Sequence, residues 1–403
     1  MTAAQSRKVN DIHVVAPAAP GDGLEMRKRA AAAVAADHAD AVDRDGRFPF
    51  EAFEAIRARS LMGVMVPKDL GGEGASLREV ADICYALGSA CASTGMIYAM
   101  HQTKLACVIR HGRNAPWHEN LLRQICERQL LMASSTTEGR GGGNIRSSVA
   151  AVERLGSTIS LDRAATVISY GEQADGVVTT ARRAADALNS DQVLVVFLKE
   201  NYSLEPIVGW NTLGMRGTCS AGFKLKATGD AEQILPEPYE KIHVQTMMPT
   251  AHIFWSSVWA GVAASAVERA RLFLRNAARH SAGQLPPGAA HYTAAAMNLK
   301  TLRALISASV QRFEGADEAT AASIPFQTSM NMLKVEASEK AVSIAHSALR
   351  ACGLAGYRND GDYSISRALR DALSSPIMIN NDRILGNLSS SALLDETPLS
   401  LTD

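Results

Sequence analysis

The chain has 403 residues, and its 41 Lys+Arg balance 41 Asp+Glu, so no global field of either sign draws it to nucleic acid or an anionic membrane. Hydrophobic residues at 47% and charged residues at 20% exclude a disordered chain, and the length predicts two or three domains rather than one core. The six cysteines form no C-x-x-C pair, the histidines show no metal-ligand spacing, and no apolar run reaches the length of a membrane span, so neither a metal nor a bilayer is expected.

Residues 1–24 are polar and carry Pro17, Pro20, Gly21 and Gly23, and read as a loose tail. They offer no basic stretch followed by an apolar core, so the expected location is the cytoplasm, where free thiols stay reduced. Residues 25–130 read as an all-α domain. Helical periods run over Met26–Ala41, Phe50–Arg59, Ser76–Ala90, Thr94–His111 and Glu119–Leu130, and Pro49 marks one start. The Gly63–Gly74 stretch is too rich in glycine to be helical and must be a connector.

Texture changes at Leu131. Residues 131–245 read as a small antiparallel β domain with short runs at Val149–Val152, Thr158–Leu161, Gly176–Thr180, Val193–Leu198 and Gly222–Lys226. Residues 246–403 return to a helical period in Trp255–Ala278, Met297–Phe313, Thr328–Cys352 and Ser366–Leu394, which predicts a four-helix bundle. The fold class is therefore α+β and multidomain. Helices segregated around a separate β unit exclude a Rossmann alternation.

Two short motifs invite chemistry and fail on context. Gly139-Arg-Gly-Gly-Gly143 lacks the lysine and hydroxyl of a phosphate loop. Thr218-Cys-Ser-Ala-Gly222 has its first glycine displaced for a nucleophile elbow. His101 and His111 sit on a mainly apolar helix, where packing is the default reading.

The order of several weak motifs is more informative. Val66-Pro-Lys-Asp-Leu-Gly-Gly-Glu-Gly74, then Thr137-Glu-Gly-Arg-Gly-Gly-Gly-Asn-Ile145, then Leu161 to Gly171 with Ala174-Asp175, follow one another along the chain. Leu213-Gly-Met-Arg-Gly-Thr218, Arg279-His-Ser-Ala-Gly283 and Gly353-Leu-Ala-Gly-Tyr357 with Tyr363, Arg367 and Arg370-Asp371 come next. In this order and spacing the chain resembles the acyl-CoA dehydrogenase family over roughly residues 24–394.

The resemblance implies FAD, bound by Thr137, Val167, Ile168, Ser169, Arg279, Gly353, Gly356 and Asn381, with Arg279 reaching the diphosphate of a neighbouring subunit. It implies a substrate lined by Gly143, Arg216, Ile379 and Asn380, and a homodimer or homotetramer. It also implies desaturation of an acyl thioester, carried by CoA or an acyl carrier protein, with electrons passing to an electron-transfer flavoprotein or to O2. One departure is decisive for mechanism. Counting on from Arg370, the family's catalytic glutamate position holds Ile379, and the alternative position at the start of the first bundle helix holds Phe254 beside His252 and Trp255. A relocated base would have to come from Glu138, Tyr170, Glu172, His101 or Asp382. Two other functions stay open: a flavin monooxygenase of the same fold using O2, and a non-catalytic subunit of a hetero-oligomeric dehydrogenase.

Overall fold

The computed structural model describes residues 23–138 and 147–393. The first element, α1 (Leu24–Asp45), buries Arg27, Ala31, Ala35, Ala39 and Val42, a stripe at four-residue spacing. It ends on Gly46, whose φ of 61° is the left-handed stop that glycine adopts without strain. Next come α2 (Phe50–Ala58) and the connector that the glycines predict, which folds back so that Arg27 pairs with Glu73. The start of α3 (Leu77–Ala90) is fixed by a capping box between Ser76 and Glu79. Then α4 (Ala92–His111) is buried nearly all round, as a helix enclosed by other elements must be. The last helix of this part, α5 (Pro116–Arg128), begins with proline at its first turn, earlier than the sequence suggests.

Among the described residues, seven strands follow: β1 (Met132–Ser135), β2 (Glu153–Leu155), β3 (Thr158–Ala165), β4 (Gly176–Arg182), β5 (Gln192–Leu198), β6 (Tyr202–Val208) and β7 (Gly222–Asp230). They form one sheet in the order β1-β4-β5 and another in the order β2-β3-β7-β6. Pairing is antiparallel except between β1 and β4, which run parallel with Met132 opposite Gly176. That exception arises because β1 enters directly from the helical domain rather than through a hairpin. The expected strand at 149–152 contributes only an isolated bridge, Ala151 to Arg182. The strands β4 and β5 are buried on both faces, which accounts for their continuous Val/Leu runs.

A short α6 (Tyr239–Ile242) passes through a π-helical segment, His243–Met247, into the 33-residue α7 (Met248–His280). The bundle continues with α8 (Ala289–Glu314), α9 (Glu318–Ala322), α10 (Ile324–Cys352) and α11 (Leu354–Tyr357). The expected last helix over 366–394 is broken instead into α12 (Ser366–Ala372) and α13 (Asn381–Ala392). Ile379 and Asn380 both take positive φ in that break, 60° and 52°, which no helix can continue through.

Helix α7 is the spine of the molecule, packed on α3, α4, α8 and α10. Close approach depends on glycine: a Cβ on Gly261 would lie 2.2 Å from the Tyr85 carbonyl oxygen, and one on Gly88 would lie 2.5 Å from that of Val258. This contact sets α3 and α7 backbone to backbone, and α7 carries part of the wall of the cavity described next.

Candidate functional site

A cavity of about 940 Å³ opens between α4, the end of β1, the π segment, α7, α10 and the α12–α13 break. Its size suits a drug-sized ligand or a cofactor ring with a small substrate, sites of this kind running to roughly 300–1,000 Å³. Thr136 and Thr137 bring hydroxyls from the end of β1, and Met247, Met248 and Ala251 form an apolar wall. Ile379 lines it from the break between α12 and α13.

The π segment is held in place by α4. Arg110 donates to the Gln245 carbonyl at 3.1 Å, His111 Nε2 shares a 2.8 Å hydrogen bond with the Thr246 hydroxyl, and Lys104 Nζ lies 3.3 Å from Met247 Sδ. One extra residue per turn is costly unless something holds it, and such segments concentrate at functional sites. Here it places His243, Val244 and Met247 on the cavity wall. No local sequence signal announces this segment.

Three basic side chains, Lys104, His243 and His252, line the cavity from within the packed interior. His252 is buried, and its Nδ1–H donates to the Met330 carbonyl at 3.0 Å. Burial brings its pKa down to about 4, so the ring is neutral at ordinary pH. Lys104 is 5% exposed, and desolvation lowers its pKa to about 8. Among the described residues that line the cavity, the one carboxylate is Glu240, which is exposed.

None of the five residues considered as a relocated base lines this cavity. Glu138 is occupied elsewhere: it accepts from the Ser148 hydroxyl at 2.8 Å and the Val149 amide at 2.6 Å, and it faces Arg163 at 3.4 Å. Tyr170 donates to the Met132 carbonyl at 3.0 Å, and burial raises its pKa further out of reach. His101 accepts from the Met132 amide through Nδ1 and donates through Nε2 to the Met62 carbonyl, so both nitrogens are used. Glu172 and Asp382 are exposed.

The residues considered for flavin and substrate are spread more widely. Thr137 and Ile379 meet on the cavity. Ser169 is buried in a hydroxyl chain, 2.7 Å from Ser220, which is 2.8 Å from Thr218, while the neighbouring Val167 is 39% exposed and Ile168 is fully buried. Arg216 is a tie between domains: it donates to the Asp43 carbonyl at 2.7 Å and to the Thr212 carbonyl at 3.0 Å. Asn381 is also spent on structure, accepting from Lys334 at 2.5 Å and donating to Glu339 at 2.7 Å. Asn380 and Arg279 are exposed, and neither they nor Gly353 and Gly356 line the cavity. Gly143 and the glycine run around it lie outside the described residues.

Known proteins match this arrangement at both ends. The model of the acyl-CoA dehydrogenase N-terminal domain matches residues 24–129, and that of the C-terminal domain matches residues 245–392. The chain belongs to the acyl-CoA dehydrogenase family. Within it, cyclohex-1-ene-1-carbonyl-CoA dehydrogenase of Syntrophus aciditrophicus is 23% identical over 92% of this chain and 89% of its own. Among solved structures, FMN-bound TdsC from Paenibacillus sp. A11-2 superposes with a TM-score of 0.80 at 17% identity, covering 93% of this chain and 98% of that one. A nitrososynthase from Micromonospora carbonacea var. africana superposes at 0.77 with 21% identity, covering 94% and 98%. The acyl-CoA dehydrogenase fold is thus shared with proteins whose names span different chemistries, and the cavity must distinguish them.

Proposed function

We propose that the protein is a flavin-dependent monooxygenase built on the acyl-CoA dehydrogenase fold, acting on a small, largely apolar substrate held in the cavity. The observation that carries this reading is the cavity's complement of groups. Desaturation of a thioester removes an α-proton, and a positioned base contributes about 10²–10⁴-fold to such a step. Ile379 stands on the cavity, at the position that counting on from Arg370 by resemblance to the family gives that base, and the described lining offers no buried carboxylate. Oxygen insertion makes no such demand on an α-proton.

The residues present fit a flavin. Thr136 and Thr137 offer hydroxyls to the polar edge of a flat ring, and half-exposed Val167 offers an apolar face beside the Ser169 hydroxyl. Bound flavin would supply the hydride and dioxygen chemistry. The chain's own work is to hold the substrate, exclude water with Met247, Met248 and Trp255, and keep a neutral His252 at the wall. Arg279, Gly353 and Gly356 lie off the cavity, as suits an FAD whose diphosphate is held by a second copy of the chain. TdsC, the structural relative above, is described as a dibenzothiophene monooxygenase, which is in keeping with this reading.

Thioester desaturation is the second reading, favoured by the relative that acts as a cyclohexenecarbonyl-CoA dehydrogenase across 92% of the chain. One experiment separates the two. The flavin spectrum of the purified protein is followed anaerobically with saturated acyl-CoAs, and then after chemical reduction and admission of O2. A monooxygenase keeps its flavin oxidised in the first step and consumes O2 in the second, with incorporation of one labelled oxygen atom into an added aromatic substrate. Rapid bleaching by an acyl-CoA overturns the proposal in favour of desaturation.

A further inference from the structure

We propose that Lys104 anchors an anionic group of the substrate, so that the cavity selects an apolar body carrying a single carboxylate. This rests on the reading of the cavity as the substrate site. Lys104 sits in the middle of α4 among Thr103, Leu105, Ala106 and Cys107, all buried, and is itself 5% exposed while lining the cavity. Its ammonium meets Met247 Sδ at 3.3 Å, a weak acceptor, and among the described residues no carboxylate is ion-paired with it. A buried cation without a strong acceptor is costly to keep unless a ligand completes it.

The same molecule shows what a structural buried lysine looks like. Lys334 is fully buried, and its ammonium donates to the Ser375 carbonyl at 3.1 Å and to Asn381 Oδ1 at 2.5 Å, over the Trp259 ring. Lys104 has none of that. A second donor stands on the same cavity in the same condition: Trp255 is 8% exposed, and its indole N–H has no acceptor among the described residues. Two buried donors on residues that line one cavity ask for a ligand with acceptors, and one ammonium asks for one negative charge. The other charged or titratable groups on the wall are Glu240, His243, neutral His252 and Arg383. Met100, Val244, Met248, Ala251 and Ile379 add apolar surface beside the hydroxyl and amide groups of the wall.

The test is calorimetric titration of the flavin-loaded protein as purified, with benzoate, benzamide and inorganic phosphate as probes. Benzoate and benzamide differ in charge at nearly equal shape. The native protein is expected to prefer benzoate by about tenfold or more, the usual worth of a charge-assisted hydrogen bond. Lys104→Met, with unchanged circular dichroism, is expected to bind the two alike. Trp255→Phe should weaken benzoate and benzamide together, since both carry an acceptor. Equal affinity for benzoate and benzamide in the native protein, or no detectable benzoate binding, overturns the proposal without any variant. So does a folded Lys104→Met protein that keeps the preference, and phosphate binding as tight as benzoate overturns the single-carboxylate class. None of these measurements uses flavin turnover, so a failure here leaves the monooxygenase reading to its own oxygen-uptake test.

Discussion

Asp371 on α12 accepts a hydrogen bond from the Met215 backbone amide at 2.7 Å, joining the bundle to the β domain across 156 positions of chain. Around it, Arg370 grips Asp43 at the end of α1 and donates to the Leu213 carbonyl at 2.8 Å, so three parts of the molecule meet on one turn. Asp371 is buried, and desolvation raises its pKa to about 6. The folded state therefore holds this proton more tightly than the unfolded one, and the group's contribution favours folding below about pH 4 and is lost as pH rises through about 6. Asp371→Asn keeps an acceptor for Met215 and removes the charge. The expected result is that the variant gains on the native protein by up to about 3 kcal/mol between pH 4 and 7, a two-unit shift at about 1.4 kcal/mol each. Asp371→Ala, which leaves the amide without an acceptor, should lose about 1–3 kcal/mol against the Asn variant. Urea denaturation at a series of pH values checks both.

The glycines at the crossing of α3 and α7 give a second expectation. A Cβ at Gly261 meets backbone at 2.2 Å, where no flexible side chain can yield. Gly261→Ala should cost about 1–3 kcal/mol, as overpacking does. Gly283, with open space around it but φ of 86°, is a different case, because there only backbone strain of about 1–2 kcal/mol opposes Ala. Thermal melts of both variants, with the cavity probed by benzoate titration, separate the two: only Gly261→Ala should also disturb binding, since α7 carries part of the wall.

The order of helices, sheet and helices was legible because alanine-rich periods and the Ser76–Glu79 cap are local signals. The break at Leu373–Asn380 was not, because Met378 and Ile379 continue an apolar period and only their backbone departs from it. The parallel β1 is four residues long and gains its identity from pairing with β4. Ile379 came into view only through the family resemblance, by counting on from Arg370, and it lines the cavity, whereas the π segment depends on Arg110 and His111 reaching it from α4. Lys104 had a readable signal, a lone lysine in a mainly apolar helix beside His101, Gln102 and Thr103, and its significance came only with its place on the cavity wall.

Four buried histidines set the acid response. Burial lowers the pKa of His101, His111, His118 and His252 to about 4. Their folded values lie below the unfolded value of about 6.5, so the stability they contribute is complete above that pH and is lost as pH falls toward 4. Asp371 acts in the opposite direction over much of the same window, but four histidines outweigh one carboxylate. Net stability should therefore fall by about 3 kcal/mol per pH unit from pH 6 to 5. His252→Gln, which can still donate toward the Met330 carbonyl, should reduce that slope by about 1 kcal/mol per pH unit. A slope unchanged by the substitution, in chemical denaturation at pH 5, 5.5 and 6, would mean that His252 is protonated in the folded protein.

Ile379 allows the reaction class itself to be addressed. It lines the cavity with its backbone at φ 60°, a conformation that a β-branched residue adopts only when its surroundings impose it. In Ile379→Glu the unbranched side chain is less strained at the Cβ and would extend toward the same space. Desolvation at the wall would raise the new carboxyl's pKa, which makes it a stronger base once ionised. With saturated acyl-CoAs under anaerobic conditions, the native flavin should stay oxidised, and the variant should bleach faster by about 10²-fold or more, the lower end of what a positioned base contributes. Ile379→Gln supplies the control, with the same shape and no base. If Glu and Gln variants bleach alike, the effect is one of space rather than proton transfer. If the native protein already bleaches as fast as Ile379→Glu, some other group serves as the base, and desaturation replaces oxygen insertion as the reading of this cavity.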